Sequence, residues 1–372
     1  MKAVGESLFE SVPNFSEGRD RVAIDAIAGA SGHTHLLDVD ADSDHNRTVI
    51  SLAGFHSHLI QALMASVRAA VELIDVREHL GVHPRVGAAD VVPIVPLDST
   101  PLSRCQEVAL ELGERIWNEL RVPVFFYGRG QTLADIRGGR GRLDLGGPDL
   151  HPTAGAVCVG ARPKLVAFNV ILQGVDVGAA RVLVRSIRES GGGMRGVHAL
   201  VFELSGGRVQ LSMNLFRLEE TTPEMVIAEL ERRGMSLASQ HVVGLCPATV
   251  ANPAATGRIL EARLAASAAR AGAARCFDRG DNEHVALARR LRREAEGLAE
   301  LGVDQAALLA GAERAAALVP VLKVAGVLDG ELSAMLDAAA TGLRDAVGAE
   351  TRSAYAARFA ALEKRLRATP DA

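Results

Sequence analysis

The sequence predicts an α/β (α+β) fold: two tandem β-α-β-β-α-β subdomains with a ligand cleft between them, then an all-α C-terminal region. Three observations carry this. Short apolar runs alternate with helix-period patterns through the first two thirds of the chain. Their order spells the split β-α-β, ferredoxin-like motif twice, without a close sequence repeat. After Pro247 the composition turns to Ala, Leu and Arg at helical spacing.

Each element follows in order. "LFESV" (8–12) reads as a strand, and "NFSEGRDRVAIDAIAGAS" supplies a cap and a helix. "HLLDVD" (35–40) and "RTVISLAG" (47–54) are strands. A long helix is expected over 55–80, followed by the strand "DVVPIVPL" (90–97). A helix at about 103–120 and the strand "VPVFFYG" (122–128) extend the series. Residues 129–155 are rich in Gly, Arg and Pro and read as a loop with one short helix. The second series comprises "KLVAFNVILQG" (164–174), a helix at 176–190, "VHALVFEL" and "RVQLSMNLF", a helix at 223–234 and "SQHVVGLCP" (239–247). The predicted divisions are therefore 1–163, 164–250 and an Ala-rich helical region at 251–372.

The 372 residues are 48% hydrophobic but only 3% aromatic, so the core must be aliphatic and base-stacking platforms are disfavoured. A net charge of −4 gives no overall field for nucleic acid or an anionic membrane, so an anionic substrate needs local arginines. Cys105, Cys158, Cys246 and Cys276 form no C-x-x-C pair and read as plain thiols. No signal-like or membrane-length apolar run occurs, and the expectation is a soluble cytoplasmic protein with no nucleic-acid or membrane partner.

Four stretches carry candidate chemistry. In "REHLGVHPRVGAADVV", His79 and His83 have the spacing of two ligands on one helix face. Gly81 suits a helix C′ position and Pro84 restricts His83 to extended geometry, so the helix ends before His83. With no third ligand, no metal is expected. An imidazole on a stiffened turn before a buried strand suits acid–base work, with a pKa drawn toward neutrality; a surface histidine at a helix end is the alternative. In "LLDVDADSDHNRTV" the alternating aspartates begin like a calcium loop, but Ser43 and Val49 replace the required Gly and Glu. Asp38 and Asp40 share a strand face, as substrate-holding carboxylates or as part of a capped turn. "LGGPDLHPTAG" leads into strands and is no dinucleotide fingerprint, though its backbone N–H groups can meet a planar ligand or carboxylate. The three glycines of "SGGGMRG" exceed what a C-cap requires and suggest ligand approach or a hinge.

The segments "SVPNFSEGRD", "LLDVDADSDHNRTV", "LIDVREHLGVHPRVGAADVVPIVPL", "LHPTAGAVCVGARPKLVAFNV", "RESGGGMRGVHAL", "VQLSMNL" and "SQHVVGLCP", in this order, resemble the glutamate formimidoyltransferase family over about residues 7–250. This family also forms the N-terminal part of formimidoyltransferase-cyclodeaminase. The resemblance implies transfer of a formimidoyl group from N-formimino-L-glutamate to N5 of tetrahydrofolate, a co-substrate held between two α/β subdomains, in histidine degradation. It places the catalytic histidine on His83 and the assisting carboxylate on Asp40. It places folate contacts on Gly146, Gly147, Pro148, Asp149, Leu150, His151, Pro152, Thr153, Ala154 and Gly155, and on Gly192, Gly193 and Met194. Arg47, Arg85 and Arg162 are the candidates for substrate carboxylates. Small-molecule partners, no metal, and a homodimer or higher homo-oligomer are implied.

Two departures stand out. Val82 occupies the place where the family commonly carries Glu, and the 129–146 loop is short. "AGAERAAALVPVLKVAG" (310–326) is similar to cyclodeaminase helices, but that domain's proline- and triple-glycine loop is missing. The tail reads as an oligomerisation module or a degenerate cyclodeaminase-like segment without that activity. A one-carbon transferase with another amine donor, or a non-catalytic folate binder, is the alternative function.

Overall fold

The computed structural model describes residues 7–267 apart from 33, 98, 99, 262, 265 and 266. The helical region expected over 251–372 therefore lies, beyond Ser267, outside the described residues, together with Cys276. The chain divides into one unit of Met1–Arg217 with Gly234–Ser239 and a second of Leu218–Arg233 with Gln240–Ala372.

The first unit opens with β1 (Leu8–Ser11) and β2 (Asn14–Phe15), then α1 (Arg21–Gly29), β3 (His35–Asp42), β4 (Arg47–Phe55), α2 (His56–Leu73) and β5 (Ala89–Pro96). It continues through α3 (Leu102–Arg115), β6 (Val124–Tyr127), α4 (Leu133–Arg137) and β7 (Val157–Ala161). β1 and β2 are one interrupted strand, since both lie antiparallel between β4 and β5. β3 pairs on the outer side of β4, so the first four strands lie in the ferredoxin-like order. β7 and β6 then extend the sheet beyond β5 as parallel neighbours.

Pro93 in the middle of β5 tests this arrangement, because a proline cannot donate to a central ladder. The partner strand is interrupted opposite it: Ser11 pairs with Ile94 and Asn14 with Val91. The Ser11 hydroxyl fills the gap by donating to the Pro93 carbonyl at 2.6 Å.

Helix α1 starts where Asp20 accepts hydrogen bonds from the N–H groups of Val22 and Ala23. Helix α2 buries Leu59, Ile60, Leu63, Met64, Val67 and Ala70, a helical stripe that packs in the core with Phe9, Ile50, Leu52, Val92 and Ile94. It stops at Leu73, seven residues short of the expected Leu80. Ile74 turns extended and is buried, and the Val76 N–H donates to the Thr153 carbonyl. A tertiary contact thus ends the helix, and residues 74–88 become a loop. Helix α3 reaches Arg115 and closes through a single π turn, Ile116–Leu120.

The second series supplies β8 (Val166–Gln173), α5 (Val177–Ile187), β9 (Val197–Glu203), β10 (Val209–Leu215), α6 (Pro223–Arg232) and β11 (Ser236–Val243). The sheet order β11-β8-β10-β9 again matches the ferredoxin-like plan. β11 begins and ends earlier than the expected 239–247: Gly244 has φ +69, and Cys246 bridges to Ile259 instead. Among the described residues no helix is long and apolar enough to cross a membrane.

Candidate active site

Three pieces of the first unit meet at His83. The turn between β3 and β4 offers His45 and Asn46, the loop 74–88 carries His83 itself, and β9 and β10 bring Phe202 and Gln210. The rings of His83 and Phe202 stack with centroids 5.6 Å apart, and His45 stands edge-on to both, at 5.8 Å and 4.8 Å. The amide nitrogen of Gln210 donates to His45 Nε2 at 2.8 Å. Asp44 accepts from the Ser205 N–H and from Arg208. Side chains from the β3–β4 turn and from β9 and β10, all in the first unit, thus surround His83.

The His83 turn is held from several sides. Asn46 accepts from the Gly18 N–H and donates to the Leu80 carbonyl. His79 Nε2 donates to the Asn46 carbonyl at 2.7 Å, which spends this histidine on the turn. With α2 ending at Leu73, His79 and His83 share no helix face, and Gly81 is not a helix cap. Gly81 is required for closeness: a Cβ there would stand 2.4 Å from the His45 carbonyl oxygen. The Arg85 guanidinium fans over the carbonyls of His79, Gly81 and His83 at 3.2, 2.7 and 3.1 Å. This candidate for a substrate carboxylate is thus a brace of the turn.

His83 Nδ1 lies 2.7 Å from the Pro84 carbonyl oxygen. A carbonyl only accepts, so Nδ1 carries the proton and Nε2 the lone pair. Burial, then the charges of Arg47 and Arg137, push the imidazole down to about 2. The sequence reading expected a value drawn toward neutrality; two guanidiniums near a half-buried ring explain the difference.

The carboxylate whose charge acts on His83 is Asp90, at the start of β5. It is fully buried, and burial alone would raise it, but Arg47 and Arg137 hold it at about 2. Its Oδ1 accepts from the Val86 N–H at 2.6 Å, and its Oδ2 takes Arg47 and Arg137, each at 2.7 Å. Arg47 also donates to Asn14 Oδ1. Asp40 stands on β3 opposite Val49, with Asp38 opposite Ser51 on the same face after a bulge. Arg162, half-buried, donates to the Pro163 carbonyl, and the charges of Tyr127 and Glu10 act on it.

The loop Gly146–Gly155 packs against the His83 turn. The Ala88 N–H donates to the Ala154 carbonyl, the Ala156 N–H to the Val86 carbonyl, and Gly87 bridges Gly155. Within this loop His151 Nδ1 accepts from the Ala154 N–H at 3.0 Å, while Leu150 is exposed. The Gly147–Pro148 peptide is cis, and Asp149, Pro152 and Thr153 complete the turn. The triple glycine follows α5. Gly192 has φ +78, a Cβ on Gly193 would stand 2.3 Å from the Ile187 carbonyl oxygen, and the Met194 N–H donates to that oxygen at 2.7 Å. A Cβ on Gly191 would likewise collide with the Arg185 carbonyl oxygen, so backbone wrapping at the helix end accounts for all three glycines.

Sequence reasoning missed His45, Asp90, Arg137, Phe202 and Gln210. Asp90 had a usable signal, a lone charge heading an otherwise apolar strand, which requires a buried partner. Cys105, Cys158 and Cys246 are buried, and burial raises them to about 11, 12 and 12, so none is an activated thiol.

Fold and site together define an α/β protein in which two ferredoxin-like sheets meet at an uncharged, tautomer-fixed histidine beside a buried Arg–Asp–Arg cluster, the equipment of a small-molecule group-transfer enzyme. Known proteins narrow this class. The family model for the formiminotransferase domain, N-terminal subdomain, matches residues 8–162. Glutamate formimidoyltransferase of Thermoplasma acidophilum is 36% identical over 269 residues, 65% of this chain and 88% of that protein. Its namesake in Streptococcus pyogenes serotype M1 is 36% identical over 268 residues, 65% of this chain and 89% of that protein. Formimidoyltransferase-cyclodeaminase of Rattus norvegicus is 35% identical over 272 residues, 64% of this chain but 50% of that protein. The chain belongs to the glutamate formimidoyltransferase family and is a transferase.

Proposed function

We propose that this protein moves the formimidoyl group of N-formimino-L-glutamate to N5 of tetrahydrofolate, with His83 as the acid–base group. The observation that carries the reading is the His83 tautomer: with Nδ1–H bound to the Pro84 carbonyl, the Nε2 lone pair is fixed in direction. N5 attacks the amidine carbon and a tetrahedral centre forms. A donor carboxylate beside Arg47 and Arg137 raises the ring from the value of about 2 set by burial and those two charges. Nε2 then takes the proton that the attacking nitrogen must lose. The same proton goes to the departing glutamate amine, so one imidazole serves both halves of the reaction.

Tetrahydrofolate is the co-substrate in this reading. The loop Gly146–Gly155 and the turn Gly192–Met194 are its proposed contacts, and Asp40 is the proposed carboxylate for the donor's amidinium. The proposal extends to a cytoplasmic homo-oligomer working in histidine degradation. A second reading, transfer from a different amine donor, is favoured by Val82: this side chain is 43% exposed beside His83, where the family commonly has an acid.

The test is to incubate the full chain with tetrahydrofolate and, in parallel, formiminoglutamate, formiminoglycine and formylglutamate, following 5-formiminotetrahydrofolate. Product from formiminoglutamate alone is expected. Preference for formiminoglycine would move the assignment to the second reading, and folate binding without turnover of any donor would make the protein a binder.

A further inference from the structure

Arg47 and Arg137 share one acidic oxygen. Both guanidiniums reach Asp90 Oδ2 at 2.7 Å, while Oδ1 is taken by the Val86 N–H. Two positive charges thus face one negative charge, and the cluster keeps an excess of one positive charge. The charges on both arginines act on His83, so the excess lies where the reacting groups must come. Arg137 is not saturated: its Nε is buried and has no hydrogen-bond partner. The side chains of Arg47 and Arg137 are 10% and 18% exposed, so any anion they bind would be largely removed from water. Such an ion pair is strengthened by the low local dielectric.

The other arginines are differently employed. Arg85 is occupied by three carbonyls of the His83 turn, and Arg162 lies with Tyr127 and Glu10. Arg137 carries no sequence signal of its own, being a single basic residue at the end of a five-residue helix.

We propose that Arg137, with Arg47, forms the subsite that grips a carboxylate of the amino-acid donor and so makes Arg137 a specificity-determining residue. The inference rests on the transferase reading above. The subsite selects a donor carrying a carboxylate, and a neutral amidine of the same reactivity would lack this grip. Asp90 aims both guanidiniums and keeps them from repelling each other, and the bound carboxylate supplies the missing negative charge.

The test is steady-state kinetics of the full chain, wild type against Arg137→Gln and Arg137→Lys, varying each substrate separately. Loss of a charge-assisted contact should raise the donor KM by about 10–100-fold in Arg137→Gln. The tetrahydrofolate KM should stay where it was, and Arg137→Lys should recover part of the loss by keeping the charge without the fork. N-methylformamidine, which has no carboxylate, should react equally slowly with wild type and Arg137→Gln. An unchanged donor KM, or equal losses for both substrates, would show that Arg137 merely supports Asp90 and His83, and would leave the transferase reading standing. Absence of product from the wild type would sink the transferase reading instead. Calorimetry with glutarate then judges the subsite: binding weakened by Arg137→Gln supports it, and no binding to wild type ends it. Where Arg137→Gln fails to fold, Arg137→Lys carries the same comparison, and an unaltered donor KM there counts against the proposal.

Discussion

His83 donates its Nδ1–H to the carbonyl of the next residue, Pro84, over 2.7 Å. The proline ring stiffens the backbone that carries this acceptor, and Arg85 clamps the carbonyls of His79, Gly81 and His83 that precede it. The imidazole is therefore locked in both tautomer and direction by three consecutive residues. Replacing it removes the proton carrier and little of the binding surface. His83→Ala should lower kcat by about 10²–10⁴-fold while tetrahydrofolate binding persists. Single-turnover rates and fluorescence titration measure the two separately, and a variant with unimpaired turnover would take His83 out of the mechanism.

The depressed His83 value has a sign that can be checked. The folded ring sits at about 2 against an ordinary 6.5. As pH falls from 6.5, the unfolded chain takes up a proton that the folded chain refuses, so stability declines from there downward. Asp90, at about 2 against 3.8, contributes stability that is present above 3.8 and lost as pH falls toward 2. Urea midpoints should be flat above neutrality, slope downward below 6.5, and fall again below 3.8. His83→Asn should lessen the first slope, to which His45 and His79 also contribute because burial lowers their imidazoles, and leave the second. Proton NMR of the wild type should show no His83 titration between about pH 5 and 8, the range in which an ordinary imidazole changes charge.

Much of this architecture was legible because it is written in local periodicity. The stripe Leu59, Leu63, Val67, Ala70 marks α2, and the apolar run Val91–Val95 marks β5. What periodicity cannot register is a long-range hydrogen bond. The bond from Val76 to Thr153 ends α2 at Leu73, although residues 74–80 would serve a helix well. The site divides in the same way. His83 was visible because Pro84 and Gly81 constrain it locally. Arg137 lies 47 residues beyond Asp90, and only the packed chain brings them to one oxygen.

Asp90 offers a test of that packed cluster. Asp90→Asn leaves Arg47 and Arg137 buried without a countercharge, which should cost about 3–5 kcal/mol of stability. Arg47→Met in the same background removes one of the two stranded charges and should return part of the loss. Denaturant unfolding of the two singles and the double gives the coupling between them. Additive losses would mean that the ion pair seen in the structure has no energetic weight.

Gly81 is the sharpest steric test of the turn. A methyl group there would meet the His45 carbonyl oxygen at 2.4 Å and Asn46 Cβ at 3.0 Å. Neither neighbour can retreat easily. Asn46 is tied to Gly18 and Leu80, and the His45 ring is wedged between His83, Phe202 and Gln210. The added methyl must push the His83 loop outward and break the stack with Phe202. Gly81→Ala should therefore destabilise the fold by about 1–3 kcal/mol, in the range of other overpacked sites. It should also lower kcat more than it raises either KM, because the displaced part is the proton carrier. Thermal melts and steady-state kinetics on one preparation report both effects, and a Gly81→Ala enzyme with wild-type kcat would show that His83 needs no such exact seating.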